Sequence, residues 1–255
     1  MTGHVIVTDH GAIRILRLNR PDKKNALTDA MYETLSEALE NAAVSKAIRC
    51  MVIAGGPAAF TAGADVQDFL HAAQHMEGLR PQALRFLHRI AHAGKPLVAA
   101  VQGVAVGIGT TLLLHCDYVV AAVDARFSAP FVNLGLVPEA GSSLLMPRLM
   151  GPRRAFELLV MGHPFDADEA KALGLVNAVV PAGEVEPEAM KAARQIAALP
   201  AEAVAASRRL IRGSTAEIVR RIDEESEIFK QRLKSVEAKA AFEAFLRRKI
   251  GRAHV

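Results

Sequence analysis

The sequence predicts an α/β domain followed by an all-helical region. Strand-like and helix-like segments alternate up to about residue 186, and no strand pattern occurs after Pro187. Of the 255 residues, 51% are hydrophobic, which is enough to build a substantial core. We therefore expect an α/β core over residues 1–186 and a C-terminal helical region over residues 187–255.

Strands dominate the start of the chain, where Ile13 and Ile15 alternate with Arg14 as in a half-buried strand. Thr28 is placed to cap a helix whose apolar face carries Met31 and Leu35. The segments predicted up to residue 93 are strands at 5–8, 12–18 and 50–54, a small-residue loop at 57–66, and helices from Thr28, at 66–73 and around Leu84, Leu87 and Ile90.

The middle of the chain repeats a strand, a glycine-rich turn and a helix. The sequence from Asp166 to Glu169 has the spacing of a capping box, which predicts a helix that ends at Gly174. The predicted segments are strands at 97–101, 118–122, 125–128 and 176–180, with a glycine-rich turn at 103–109 that leads into a helix. Long helices with apolar faces follow, so we expect the tail to pack on a neighbouring subunit.

Composition excludes several classes of function. A net charge of +4, two tyrosines and no tryptophan argue against a nucleic-acid binder. Apolar runs stay below the ~20 residues that span a bilayer, and residues 1–5 show no leader pattern, so no membrane association is expected. Cys50 and Cys116 fit a reduced cytoplasmic protein, and no metal-ligand spacing occurs.

Glu139 is the most informative acidic residue. It follows Pro138, precedes a small-residue run at 140–143, and comes after a largely apolar stretch at 127–137. A carboxylate in a dry pocket has a raised pKa and can carry a proton between two atoms of a substrate. A solvated acid at a helix N-terminus, where the helix dipole favours negative charge, fits the same pattern.

Two loops rich in small residues, 59–65 and 103–109, each connect a predicted strand to a predicted helix. Such loops allow backbone N–H groups to approach a ligand closely, and two N–H groups that meet at one carbonyl oxygen form an oxyanion hole. Tight packing of a strand on a helix explains either loop equally well. Neither loop has the lysine of a P-loop or the glycine spacing of a dinucleotide site.

Five segments in order give the chain a family resemblance. They are Leu18–Pro21 with Asn25–Leu27, Phe60–Asp65, Ala99–Gly109, Phe127–Gly141, and Ala167–Ala170 with Gly174–Val176. Over essentially its full length the chain resembles the crotonase (enoyl-CoA hydratase/isomerase) superfamily. The resemblance implies a spiral of ββα units, C-terminal helices that build a homotrimer or a dimer of trimers, and an acyl-CoA thioester substrate. It implies no cofactor, since CoA is part of the substrate.

The resemblance also assigns candidate site residues. The backbone N–H groups of Ala64 and Ile108 match the two oxyanion donors of the family. Basic residues at 247–249 are candidates for contact with a neighbour's CoA phosphate. The candidate substrate and CoA contacts are Lys24, Ala26, Ala62, Gly63, Asp65, Val66 and Phe131, of which Phe131 and the helix after Asp65 line the acyl chain.

Two departures from the family pattern concern catalysis. Hydratases of this family carry two glutamates that activate water, and here Thr111 and Phe131 occupy those positions. The setting of Glu139 resembles the peroxisomal type of delta-3,delta-2-enoyl-CoA isomerase, in which a glutamate at this place is the base. The resemblance therefore implies double-bond isomerisation through a dienolate. A hydratase or another CoA-ester enzyme is the alternative, and a non-catalytic acyl-CoA-binding protein is the alternative from another class.

Overall fold

The computed structural model describes residues 3–65 and 80–251, with side chains described up to residue 244. The predicted helix at 66–73, Val66, and the side chains of residues 247–249 lie outside these limits. The strands are β1 Val5–His10, β2 Ile13–Leu18, β3 Cys50–Ala54, β4 Ala59–Thr61, β5 Leu97–Val101, β6 Val104–Val106, β7 Tyr118–Ala122, β8 Arg126–Ser128, β9 Phe165–Asp166 and β10 Ala178–Val180.

Helices follow most of the strands in the described residues. They are α1 Asp29–Val44, α2 Pro81–Ala91, α3 Ile108–Thr111, α4 Ser142–Met150, α5 Pro152–Leu159, α6 Ala167–Ala172, α7 Val185–Ala198, α8 Ala201–Arg212, α9 Thr215–Leu233 and α10 Val236–Gly251. Short 3-10 turns lie at Pro21–Lys23, Leu112–His115, Val132–Leu134 and Ala182–Glu184.

The strands form two sheets, and the chain alternates between them. The larger sheet has the order β1-β2-β3-β5-β7-β10 and is parallel except for the β1–β2 hairpin. The smaller sheet has the order β4-β6-β8-β9, with β9 antiparallel to β8. Each of the pairs β3/β4, β5/β6 and β7/β8 places one strand in each sheet. This arrangement confirms the predicted α/β spiral of ββα units.

The core lies on both faces of the larger sheet. Every residue of β3 and β5 is buried, as expected for parallel strands that are covered on both sides. Helix α7 packs against β3, β5 and β7, while α1 packs against α2 and places Leu35 and Leu39 in the core. Cys50 is buried, and burial raises the pKa of its thiol to about 12, which makes it unreactive.

The strands predicted at 50–54, 97–101 and 118–122 and the capping box are confirmed, whereas two segments predicted as a loop and a turn contain strands. Asp166 accepts a hydrogen bond from the Glu169 N–H at 2.9 Å and donates its own N–H to Glu169 at 3.3 Å, so the capping box exists. Thr28 occupies the N-cap position of α1, but its side chain makes no capping hydrogen bond. The predicted loop at 57–66 and turn at 103–109 contain β4 and β6, since strands of three residues are too short to show a sequence period.

Part of the helical tail packs on its own chain. Phe229 and Leu233 of α9 and Phe242 of α10 are buried, so these side chains need no neighbouring subunit to leave water. Leu210 and Ile211 of α8 are 81% and 84% exposed. The expected boundary near residue 187 falls in the first turn of α7, which packs on the larger sheet. No helix in the described part of the chain is long and apolar enough to cross a membrane.

The smaller sheet depends on an aromatic pair. Phe127 of β8 is fully buried and stacks on Phe165 of β9, with ring centroids 5.4 Å apart. We expect Phe127→Ala to lower the free energy of unfolding by about 3–5 kcal/mol, because it leaves a cavity in a packed core. Chemical denaturation followed by circular dichroism measures this change. Phe156→Ala, at a side chain that is 58% exposed, is the matched control, and equal losses in the two variants would contradict the assignment.

Candidate active site

The pairing of β4 with β6 brings the two small-residue loops together. The strands are parallel, with Ala59 opposite Val104 and Thr61 opposite Ala105, so both loops leave the same edge of the smaller sheet. At Gly63, which has a φ of +92°, a Cβ atom would come within 2.8 Å of the Val106 carbonyl oxygen. A Cβ atom at Gly109 would approach the Thr61 side chain to 2.7 Å. Glycine is therefore required on both sides of the contact.

Hydrogen bonds within the first loop leave the N–H of Ala64 available. The Gly63 N–H donates to the Thr61 hydroxyl oxygen at 3.1 Å, and the Asp65 N–H donates to the Leu27 carbonyl at 3.0 Å. The Ala64 N–H donates to no acceptor within residues 3–65 and 80–251. Ala64 is half-buried, so its N–H can bind a ligand that approaches the loop.

The second loop leaves the N–H of Ile108 available in the same way. The Gly107 N–H donates to the Ser128 carbonyl at 2.8 Å, and the Thr110 N–H donates to the Gly107 carbonyl at 2.9 Å. Ile108 is the first residue of α3, where a helix leaves its N–H groups without internal partners. No acceptor for the Ile108 N–H occurs in the described part of the chain.

The candidate CoA-contact residues form one wall beside Ala64. The Ala62 N–H donates to the Lys24 carbonyl at 2.8 Å, which joins the loop after β2 to the loop after β4. Arg20 donates to the Asp65 carboxylate at 2.6 Å and to the Ala26 carbonyl at 3.0 Å. The Asp65 carboxylate thus stabilises the wall, and its ion pair is mostly buried. The Lys24 side chain is exposed.

Phe131 covers the glycine turn. Its side chain is buried, and its ring lies 3.9 Å from the point where a Cβ atom of Gly107 would be. The carbonyl of Phe131 accepts the N–H groups of Leu134 and Leu136, which fixes the backbone of the loop that carries the ring. The ring therefore presents an apolar surface to Gly107, the residue before Ile108.

Glu139 is buried beside the same turn. It is 8% exposed, so it is not the solvated acid that the sequence also allowed. Its Oε1 accepts a hydrogen bond from the Thr111 hydroxyl at 2.7 Å, and Thr111 lies one helical turn after Ile108 in α3. Burial raises the pKa of Glu139 to about 8; the hydrogen bond from Thr111 opposes this shift, and the charge of Glu225 adds to it.

The backbone after Glu139 is strained and firmly held. Ala140 and Gly141 have φ values of +64° and +70°, and a non-glycine residue in this region costs on the order of 1–3 kcal/mol. Nε2 of His115 donates to the Ala140 carbonyl at 2.8 Å. Burial lowers the pKa of His115 to about 4, so the ring is neutral at physiological pH and its Nε2 carries the proton. The Gly141 N–H donates to Glu225 at 2.6 Å.

Sequence reasoning missed three of these contacts. The sequence indicates only that Thr111 replaces a carboxylate of the hydratases. In the structure its hydroxyl donates a hydrogen bond to Glu139. His115 lies outside the five family segments, so no sequence signal pointed to its hydrogen bond with the Ala140 carbonyl. The sequence does contain a signal for Glu225. Its spacing from Ile218, Ile222 and Phe229 places it on the buried face of α9. An acid on an apolar face needs a partner, and here the partner is the turn after Glu139.

Comparison with known proteins decides the family. The family model described as enoyl-CoA hydratase/isomerase matches residues 8–251. The chain belongs to the enoyl-CoA hydratase/isomerase family. It is therefore an enzyme of a family that acts on acyl-CoA thioesters, and its fold is the crotonase fold that the sequence motifs predicted.

Relatives in this family carry both activities in their names. The chain is 35% identical over 203 residues to a probable enoyl-CoA hydratase of Rhizobium meliloti, and the aligned region covers 79% of each chain. It is 37% identical over 225 residues to enoyl-CoA delta isomerase 2 of Rattus norvegicus, and the aligned region covers 87% of this chain and 57% of the rat protein. The solved structure of Pseudomonas aeruginosa OdaA matches with a TM-score of 0.91 at 45% identity, over 96% of this chain and 99% of that one.

The buried acid makes stability depend on pH. Folded Glu139 keeps its proton up to a pH of about 8, whereas an unfolded chain releases it near about 4.3. The wild-type protein therefore loses stability as the pH rises between these values, because the unfolded state then binds fewer protons. Glu139→Gln removes this loss. We expect the variant to become more stable than the wild type by roughly 4 kcal/mol at pH 8, with little difference below pH ~4.

Urea denaturation of both proteins from pH 4 to pH 8 measures this trend. Glu202→Gln, at an exposed residue of α8, is the matched control and should show no comparable increase. A constant difference between Glu139→Gln and the wild type across the range would show that the carboxyl group is solvated.

Proposed function

We propose that this enzyme is an enoyl-CoA isomerase that converts 3-enoyl-CoA to 2-enoyl-CoA. The observation that carries the proposal is the position of the Glu139 carboxyl group. It is buried and accepts a hydrogen bond from Thr111, which lies one helical turn after Ile108 in α3. A buried carboxyl group is thus held by the helix that carries one of the candidate backbone donors, and the Phe131 ring covers the glycine turn before that helix.

The N–H groups of Ala64 and Ile108 form the oxyanion hole in this proposal. Both lack a protein acceptor in the described residues, and their loops are held in contact by Gly63 and Gly109. They donate hydrogen bonds to the thioester oxygen and stabilise the negative charge that develops on it when the C2 proton leaves. Backbone donors on a rigid sheet edge need no reorganisation during the reaction.

Glu139 then moves one proton. Its ionised carboxylate removes a proton from C2, and the electron pair of that C–H bond forms a C1–C2 double bond as the carbonyl electrons move onto the thioester oxygen. The charge of the resulting dienolate is shared among that oxygen, C2 and C4. C4 then takes the proton from the Glu139 carboxyl group: the C3–C4 electrons form the new C–H bond, the C1–C2 electrons become the C2–C3 double bond and the carbonyl re-forms, which gives 2-enoyl-CoA and restores the carboxylate. The raised pKa suits both steps, since the same group accepts and returns the proton near neutral pH.

The residues around Glu139 favour isomerisation over hydration. Addition of water needs a second group to hold and activate the nucleophile, and Thr111 and Phe131 are not carboxylates. The Thr111 hydroxyl already binds Glu139, and the Phe131 ring is buried against the glycine turn. Relatives named as hydratases make hydration of 2-enoyl-CoA the rival activity within the family.

Loss of the Glu139 carboxylate tests the proposal. We expect Glu139→Gln to bind CoA esters as the wild type does and to lose isomerisation of 3-enoyl-CoA by a factor of about 10²–10⁴, because general acid–base catalysis supplies that much. Isothermal titration calorimetry measures binding, and the absorbance of the conjugated product measures turnover. Full activity in this variant would refute the role of Glu139.

Product analysis separates the rival functions. We expect wild-type enzyme to convert 3-enoyl-CoA quickly and to form little 3-hydroxyacyl-CoA from 2-enoyl-CoA. Rapid formation of the hydroxyacyl product would support a hydratase. Tight binding of CoA esters with no turnover of either substrate would support the non-catalytic alternative.

The Thr111 hydroxyl sets the pH at which Glu139 works. Because it donates to the ionised carboxylate, Thr111→Val should raise the pKa of Glu139 and move the rise of kcat/KM to higher pH than in the wild type, where we expect it near pH 8. Thr110→Val is the matched control, since the Thr110 hydroxyl donates to the Ala105 carbonyl at 2.7 Å and not to Glu139. A profile that stays in place in Thr111→Val would contradict the contact.

A further inference from the structure

A second buried carboxyl group lies behind the site and has no role in the proposed reaction. Glu225 of α9 is 5% exposed. It binds the turn at Gly141, which lies 84 residues earlier in the sequence. One of its oxygens accepts the Gly141 N–H at 2.6 Å. The other accepts both the N–H and the hydroxyl of Ser143, at 3.0 Å and 2.5 Å. Gly141 belongs to the turn that follows Glu139, and Ser143 is the second residue of α4, which begins directly after that turn.

The turn needs such support because its backbone is unfavourable. Ala140 and Gly141 are consecutive residues in the left-handed region, and such a conformation persists only where the surroundings fix it. His115 holds the carbonyl of Ala140 from one side. Glu225 holds the N–H groups of Gly141 and Ser143 from the other. A Cβ atom at Gly141 would lie 3.3 Å from the Ile218 side chain and 3.6 Å from that of Ile222, so α9 packs closely on the turn.

We propose that Glu225 is a positioning residue for Glu139: its carboxylate holds the left-handed turn at Ala140–Gly141 in the shape that directs Glu139 into the site. The effect of Glu225 on catalysis rests on the proposed function of Glu139. Its effect on the pKa of the Glu139 carboxyl group does not. Helix α9 thereby links the C-terminal helical region to the reacting acid.

The two carboxyl groups differ in what surrounds them. Glu225 receives three hydrogen bonds, and Arg221 binds the Ser143 hydroxyl at 3.2 Å, whereas Glu139 receives one bond from Thr111. Burial raises the pKa of Glu225, and the hydrogen bonds from Ser143 and Gly141 oppose this shift. Where Glu225 is ionised, its charge disfavours a second negative charge at Glu139. Besides Glu225, the titratable and charged groups of α9 are Glu217, Arg220, Arg221, Asp223, Glu224, Glu227, Lys230 and Arg232. Within the described residues, Glu139, His115 and Arg148 lie on the other elements around the turn, Arg148 pairs with Glu217, and His88 pairs with Asp223.

Titration of the Glu139 carboxyl group by ¹³C NMR tests the proposal without any substrate. The signal is assigned in protein labelled at glutamate by its absence from Glu139→Gln. We expect Glu225→Gln to move the midpoint of Glu139 to lower pH, because the variant removes a like charge and loosens the turn that keeps water out. Glu227→Gln, at an exposed residue of the same helix, should leave the midpoint in place. An unchanged midpoint in folded Glu225→Gln would overturn the proposal.

Kinetics give the second readout. We expect Glu225→Gln to lower kcat for 3-enoyl-CoA by about tenfold or more, with a smaller change in KM, because the acid is misplaced while the CoA contacts remain. A KM effect alone would contradict a positioning role. If Glu139→Gln keeps its activity, the proposed function fails, but a shifted titration in Glu225→Gln still establishes the structural coupling.

A milder variant covers the case in which Glu225→Gln does not fold. Ser143→Ala removes one donor from Glu225 and leaves both backbone contacts, so the charge on Glu225 is less well stabilised. The Glu139 midpoint should again move to lower pH, by less than in Glu225→Gln. A midpoint that does not move in Ser143→Ala would count against the proposal.

Discussion

Burial of the Glu139 carboxyl group, which receives one hydrogen bond within residues 3–65 and 80–251, is the constraint on which the rest of the site depends. Water would stabilise the charge of this carboxylate better than the protein does, so the surrounding residues must hold the group in its buried position. Those surroundings are a turn with two left-handed residues, a neutral histidine on one carbonyl and a buried glutamate on two N–H groups. Burial also raises the pKa of Glu139, so its carboxyl group can bind and release a proton near neutral pH.

The two sheets determine what Glu139 faces. The smaller sheet contains short strands, yet the pairing of β4 with β6 places the Ala64 and Ile108 loops side by side. Glycine at 63 and 109 permits backbone contacts that any Cβ atom would prevent. Helix α3 then carries Ile108 and Thr111 one turn apart, so a backbone donor and the partner of the acid come from one rigid element. In the proposed reaction this rigidity is what lets the donors and the base act on the same thioester.

Much of this arrangement could be predicted from the sequence. The strand and helix pattern predicted the α/β class, and five ordered motifs predicted the family that the comparisons confirm. The same motifs selected Ala64, Ile108 and Glu139, which remain candidates whose roles await experiment. The short strands β4 and β6 were missed because three residues show no period. Thr28 lies at the N-cap of α1 as predicted, but its side chain makes no capping hydrogen bond.

The sequence by itself determined the family, the fold class and the two glycine loops, because these depend on residues that are close together in the chain. It left open whether Glu139 is a solvated helix-terminal acid or a buried one, since both share the same local pattern. Tertiary structure decided this through Thr111, which is 28 residues away, and through Glu225, whose partner Gly141 is 84 residues away. The pKa of a carboxyl group follows from the atoms around it in space, and folding alone brings those atoms together.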